Sequence, residues 1–159
     1  MNGPLLALAA TLLSASQDFG SLDEVRSPSK QYVAYAAEQQ VIPIGKVSML
    51  ELRFRVEDGF HINSHNPRSE LLVATRVEVQ PNPGVKLAGA QYPVGKAYSF
   101  RFAPREKLDV YTGDFTVKLP VVATAGTHEL KGELRYQACN QAACYPVRTL
   151  PLQVILTAK

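Results

Sequence analysis

Two cysteines occur in this chain, and only four residues separate them, in the run Cys139-Asn140-Gln141-Ala142-Ala143-Cys144. A thiol pair can close on itself as a disulfide, exchange with a disulfide of another protein, or hold a metal ion. A four-residue connection is of hairpin length. Cross-strand positions beside a tight turn bring Cα atoms to about 4.5–5.5 Å, within disulfide reach. A Cys139–Cys144 bond is therefore feasible on local geometry. Closing so short a loop removes only about 2 kcal/mol of unfolded-state entropy, and a chain of 159 residues can bury a core without such a staple. A short bond at a loop tip is also open to a partner's thiolate. These points favour redox exchange, with a non-redox immunoglobulin-like binding module whose disulfide is a structural hairpin staple, and unpaired core thiols, left open as alternatives.

The immediate neighbours Ala138, Asn140, Ala143 and Tyr145 are uncharged, and the nearest cations in sequence are Arg135 and Arg148. Nothing here lowers a thiol pKa. Slow reaction with small oxidants is expected, with fast exchange only when a docked protein supplies the nucleophile or the leaving group. His61 and His65 are spaced H-x3-H and would complete a four-ligand zinc set with the cysteines. They fall in a turn-prone stretch ending Asn66-Pro67, where locally hydrogen-bonded histidines are the plainer reading, and no metal is expected. His128 alternates with apolar residues and reads as a core histidine. Asp109 and Asp114 could pair for acid–base work, but each lies near a glycine in a turn-forming context. Arg101, Arg105 and Lys107 read as a solvated face. No P-loop, dinucleotide fingerprint or G-x-S-x-G elbow is present, so nucleotide and hydrolase chemistry have no support.

The elements that must hold the cysteines follow a period of two. Ser48, Leu50, Leu52, Phe54 and Val56 alternate with Met49, Glu51, Arg53, Arg55 and Glu57, which predicts a half-buried strand. Thr75, Val77 and Val79 form a second such face, and Phe115, Val117, Leu119 and Val121 a third. His128, Leu130, Leu134 and Tyr136 give a fourth, and Leu150, Leu152, Val154 and Leu156 a fifth. Tyr32 to Ala37, Phe60 to Asn63 and Ala97 to Phe102 are shorter candidates, and Ser69 to Ala74 has room for one helical turn. Eleven prolines and ten glycines punctuate these runs. The pattern predicts an all-β, immunoglobulin-like antiparallel sandwich, without the distant cysteines and buried tryptophan of antibody domains, since there is no Trp. Apolar residues at 46% and charged residues at 19% exclude disorder and a coiled coil. A net charge of +3 with interspersed acids gives no nucleic-acid footprint.

Met1 to Ser16 carries no charged side chain and includes the apolar run Leu5 to Leu13, followed by small residues at Ser14, Ala15 and Ser16. That order is what signal peptidase reads. Nothing later in the chain approaches the ~18 apolar residues of a spanning helix. The expected organisation is a signal peptide over 1–16, a flexible leader over 17–31 and one sandwich domain over 32–159. Export would place the cysteines where disulfides persist.

Tyr136-Gln137-Ala138-Cys139 followed by Cys144-Tyr145-Pro146 resembles the N-terminal domain of the thiol:disulfide interchange protein DsbD family. The stretches Asp109-Val110-Tyr111-Thr112-Gly113 and Asp58-Gly59-Phe60-His61-Ile62-Asn63-Ser64 add to the likeness, which runs from about residue 30 to 157. The resemblance implies an immunoglobulin-like fold and disulfide reductase activity in the bacterial periplasm, with no cofactor beyond a redox-active disulfide. It implies a thioredoxin-like domain or membrane protein as electron donor, and disulfide isomerases or cytochrome c maturation proteins as acceptors. Cys139 and Cys144 become the redox pair, Cys144 bonding to partners and Cys139 resolving. Tyr111, with Asp109, takes the place of the aromatic cap loop, an ordinary strand residue being the alternative for Tyr111, and Tyr136 and Tyr145 flank the pair either as shields or as core aromatics of the hairpin. His61 and Asn63 stand where the best-known member has aromatic residues near the site. A monomer is expected. The family's membrane and thioredoxin-like domains do not follow within these residues, which leaves a standalone carrier and a piece of a longer protein as the two expectations.

Overall fold

The computed structural model describes residues 30–101 and 103–159. The expected signal peptide over 1–16 lies outside the described residues, as does the leader except for its last two positions. Those two are tied to the fold: Lys30 pairs with Glu57 at 3.1 Å, and the Gln31 side chain donates to the Thr149 carbonyl.

Twelve strands and no helix are found among the described residues. They are β1 (Val33–Ala36), β2 (Gln40–Ile42), β3 (Ser48–Val56), β4 (His61–Asn63), β5 (Arg76–Val79) and β6 (Val85–Leu87). There follow β7 (Lys96–Phe100), β8 (Ala103–Tyr111), β9 (Asp114–Ala123), β10 (Gly126–Tyr136), β11 (Ala138–Cys139) and β12 (Arg148–Ala158). One sheet has the order β1-β3-β9-β6 and a second β2-β12-β10-β5. These two face each other as an immunoglobulin-like sandwich, in which β2 alone runs parallel to its neighbour β12.

The alternating strands build the core as their period requires. Leu50 opposes Leu119, Leu52 opposes Val117 and Phe54 opposes Phe115, all buried on one face. On the facing sheet Leu130 opposes Val154 and Leu134 opposes Leu150. Each fully buried side chain of this kind contributes about 1.5–3 kcal/mol. Gly132 interrupts the inner face of β10 for a steric reason. A Cβ there would run into the backbone carbonyl of Glu78 on β5.

A third sheet, β11-β4-β8-β7, sits at the end of the sandwich where β10 runs out. The short strands expected over Phe60 to Asn63 and Ala97 to Phe102 become β4 and β7, whereas period alone does not find β8 and β11 or the sheet they complete. All three residues of β4 are buried, so they show no alternation, and the first half of β8 is almost wholly exposed. The helical turn expected over Ser69 to Ala74 amounts to a single hydrogen-bonded turn, with Leu72 N–H donating to the Ser69 carbonyl at 3.2 Å. No helix of the described residues is long and apolar enough to cross a membrane.

Candidate redox site

β10 ends at Tyr136, and after Gln137 the chain forms a tight hairpin. Asn140 N–H donates to the Ala143 carbonyl at 2.9 Å, and Tyr145 N–H donates to the Ala138 carbonyl at 2.8 Å. These two rungs bracket Cys139 and Cys144, which are therefore a non-hydrogen-bonded antiparallel pair, the kind whose Cα atoms come closest. Their Cα–Cα distance is 4.0 Å, shorter than expected from sequence, and the two sulfurs are joined in a disulfide. The turn needs no glycine. The Asn140 carboxamide oxygen accepts from Ala142 N–H and Ala143 N–H at 2.8 and 2.9 Å.

The two ends of the bond have unlike surroundings. Cys139 is 0% exposed, whereas Cys144 is exposed on the outer limb of the hairpin. Cys144 is the sulfur-bearing residue open to solvent, and Cys139 is inside the protein.

Register shows what surrounds Cys139. It opposes His61, and Ala138 opposes Ile62, across the β11–β4 ladder. Next along, Ile62 opposes Tyr111 and Asn63 opposes Val110 across β4–β8, and Tyr98 opposes Leu108 across β8–β7. Side chains alternate faces along a strand. Ala138, Ile62 and Tyr111 consequently share one face, and all three belong to the main apolar core. Cys139, His61, Asn63, Val110, Leu108 and Tyr98 share the other. Cys139, Val110 and Leu108 are buried yet lie outside that core.

On this second face the His61 ring is packed under the hairpin, its centroid 4.0 Å from that of Tyr98 and 5.8 Å from that of Phe100. His61 is only 2% exposed, and its Nε2 has no hydrogen-bond partner. Burial lowers its pKa from 6.5 to about 4, so the imidazole is neutral at ordinary pH. Asn63 donates from Nδ2 to the Val73 carbonyl at 3.0 Å and to Gln137 Oε1 at 3.3 Å, while its Oδ1 has no partner.

Residues 30–154 match the family model described as "Thiol:disulfide interchange protein DsbD, N-terminal". The chain belongs to the DsbD N-terminal family. Among solved structures, the N-terminal periplasmic domain of ScsB from Proteus mirabilis superposes with a TM-score of 0.55 at 12% identity, over 80% of this chain and 47% of that one. The reduced Neisseria meningitidis DsbD N-terminal domain matches at 21% identity and a TM-score of 0.45, over 67% of this chain and 82% of its own. The complex of the DsbD and PilB N-terminal domains from the same organism matches at 18% identity and 0.45, over 69% and 80%. No curated protein matches.

In this member of the DsbD N-terminal family, the residues expected to shield the disulfide are placed apart from one another. Tyr111 is not in a loop: it ends β8, is 3% exposed, and stacks on Phe115 at 4.8 Å. Its hydroxyl donates to the Pro93 carbonyl and accepts from His65 N–H. Its ring faces the main core, opposite to the side that Cys139 occupies. The rings on the Cys139 side are those of Tyr98 and Phe100, which the sequence reading did not single out. Asp109, on the Tyr111 side of β8, packs against Gly95, where any Cβ would collide with its carboxylate.

Tyr136 is fully buried in the core, with its hydroxyl accepting from Tyr32 N–H and donating to Gln31 Oε1. Tyr145 lies in a cluster with Tyr32 and Phe60, and its hydroxyl accepts from Asn140 Nδ2 at 2.8 Å. It therefore braces the cysteine hairpin from the side. Gln137 was also missed. It joins Asn63 through its carbonyl oxygen and donates to the Tyr145 carbonyl, linking β4 to the hairpin.

The zinc set weighed from sequence does not assemble. The two sulfurs are bonded to each other, the His65 ring is stacked on Tyr92 at 3.7 Å, and its Nδ1 meets the Thr75 carbonyl. No group of three or more potential ligands occurs among the described residues. His128 lies at the start of β10, far along the strand from the cysteines, with Nε2 against the Thr124 carbonyl at 2.8 Å. Asp114 is exposed and pairs with Arg55.

Proposed function

We propose that this domain is a periplasmic thiol:disulfide carrier that passes electrons to disulfides of partner proteins. In the loading step, a thiolate of a thioredoxin-like or membrane-bound donor attacks Cys144 Sγ. A donor–Cys144 bond forms, the Cys139–Cys144 bond breaks, and Cys139 leaves with the electron pair. A second donor thiol resolves that mixed disulfide, leaving the domain as a dithiol and the donor oxidised. In the unloading step, Cys144 attacks a client disulfide and Cys139 then displaces the client, so the client takes two electrons and the disulfide re-forms.

The observation that carries this reading is the asymmetry of one short disulfide, exposed at Cys144 and buried at Cys139. A bond meant only to pin a hairpin has no need of an exposed sulfur, and family membership supports the interchange chemistry. Disulfide isomerases and cytochrome c maturation proteins are the proposed clients, with export through the N-terminal segment.

A redox titration of the full chain in glutathione buffers, read by thiol alkylation and mass, tests the proposal. A two-electron transition between roughly −180 and −270 mV, among the values of known exchange proteins, is expected. A bond still intact below about −300 mV would mark a structural disulfide and overturn the reading.

A further inference from the structure

Cys139 poses a problem that the exchange steps leave open. To resolve a mixed disulfide it must attack as a thiolate, yet it is 0% exposed and burial disfavours the charged form. Something inside the protein has to accept the thiol proton. On the face that carries Cys139, the polar side chains of β4 are His61 and Asn63, and only the imidazole can take up a proton.

The position is favourable. Asn63 N–H bonds to the Gln137 carbonyl directly across the ladder. Rungs alternate in an antiparallel pair, so Cys139 and His61, two residues further on, occupy the next rung of the same kind. Their Cβ atoms point to the same side at about 5 Å separation. The imidazole is held in place by Tyr98, and its Nε2 is buried without a hydrogen bond. A buried ring nitrogen left unpaired costs stability, and such groups collect where function requires them.

We infer that His61 is the proton partner of Cys139, an inference that rests on the exchange function proposed above. When the Cys139 thiol attacks the Cys144–client disulfide, its S–H proton passes to the His61 ring. The Cys139–Cys144 bond forms, the Cys144–client bond breaks, and the electron pair leaves on the client sulfur. The imidazolium then gives its proton to solvent. In the reverse direction the protonated ring returns a proton to Cys139 as that sulfur leaves. Other titratable groups on this side are Tyr98 and Lys96 of β7, the latter directed to Thr112 Oγ1 at 3.4 Å, and the exposed Glu106 of β8. None opposes Cys139 in register.

The test isolates the resolving step. The reduced full chain is loaded at Cys144 with thionitrobenzoate from excess Ellman's reagent under acid quench. The pH is then raised, and coloured thionitrobenzoate is released as Cys139 attacks. His61→Phe keeps a ring under Tyr98, and His61→Gln keeps a polar group of similar reach; neither can carry the proton. Both variants should release the dye about 10²-fold more slowly at pH 7, the scale of general-base catalysis. Wild-type release should be nearly independent of pH from about 5 to 8, because the ring is neutral there, whereas release in the variants should rise about tenfold per pH unit as hydroxide takes over the deprotonation. Equal rates, or a slowing that is the same at every pH, would overturn the role of His61 alone. Failure of the wild type itself to release dye would remove the exchange function together with it.

Discussion

The central sandwich and the sheet at its end are built on opposite terms. Between β3–β9 and β10–β12 the inward side chains are apolar or glycine except for Ser48, His128 and Arg148 near strand ends, all only partly buried, and the alternation is regular enough to be read from sequence. In the β11-β4-β8-β7 sheet, one face joins that core through Ile62, Tyr111 and Ala138. The other buries a histidine and an asparagine, each with an unpaired polar atom, next to one end of a disulfide. The first region supplies stability. The second gives some of it up to keep a buried sulfur and a neutral imidazole together beneath the rings of β7.

If that division is right, aromatic residues on the two faces of the end sheet should behave differently. Tyr111→Ala should cost about 3–5 kcal/mol, as for other buried aromatics, with the rate of disulfide reduction by glutathione in the folded protein unchanged. Tyr98→Ala should cost less and speed that reduction severalfold. Chemical denaturation and thiol kinetics on the same samples decide it, and the opposite pattern would return the shielding role to Tyr111.

Leu52→Ala, in the centre of the sandwich, should cost about 2–5 kcal/mol and leave the reduction potential where it is. A shifted potential would mean that the two regions are coupled.

The pH dependence sharpens the contrast further. His61 has a folded-state pKa of about 4, below the 6.5 of a free imidazole. The unfolded chain therefore binds this proton more readily. The stability that His61 contributes relative to its protonated form is fully present above about pH 6.5 and is lost as pH falls toward 4. The loss amounts to about 3 kcal/mol. Urea midpoints from pH 7 to 4 should show it in the wild type, and the His61→Phe protein should lack that part. Parallel curves for the two proteins would place His61 in a solvated setting. The smallest effect is expected at Asn140→Ala, about 1 kcal/mol from the lost turn hydrogen bonds, seen as a lower thermal midpoint of the oxidised protein.

Much of the sandwich was legible because its signal is local. The strand read from Ser48 to Glu57 is β3, which ends one residue earlier at Val56, and the faces at Phe115, His128 and Leu150 become β9, β10 and β12 with a few residues added at the ends. The cysteine hairpin was legible as well, since four residues allow little else. The sides of the end sheet were not. Whether Tyr111 or Tyr98 faces Cys139 depends on the pairing of β4 with β8 and of β8 with β7, and one residue of register reverses the answer. The family resemblance places Asp109 to Gly113 in a cap loop, and Thr112 and Gly113 do turn, with Gly113 at a φ of 59°. The residues before them continue a strand whose exposed first half, at Pro104 to Lys107, hides its period. His61 gave no sign of burial, since a three-residue strand buried on both sides has no alternation to read.

The asymmetry of the disulfide is the centre of this account, and mapping the first adduct tests it most directly. The oxidised full chain is treated briefly with a thioredoxin-like protein lacking its resolving cysteine, and the mixed disulfide is located by peptide mass. The account predicts the adduct on Cys144, with Cys139 free and alkylated only after unfolding. An adduct on Cys139, or an even division between the two, would contradict it.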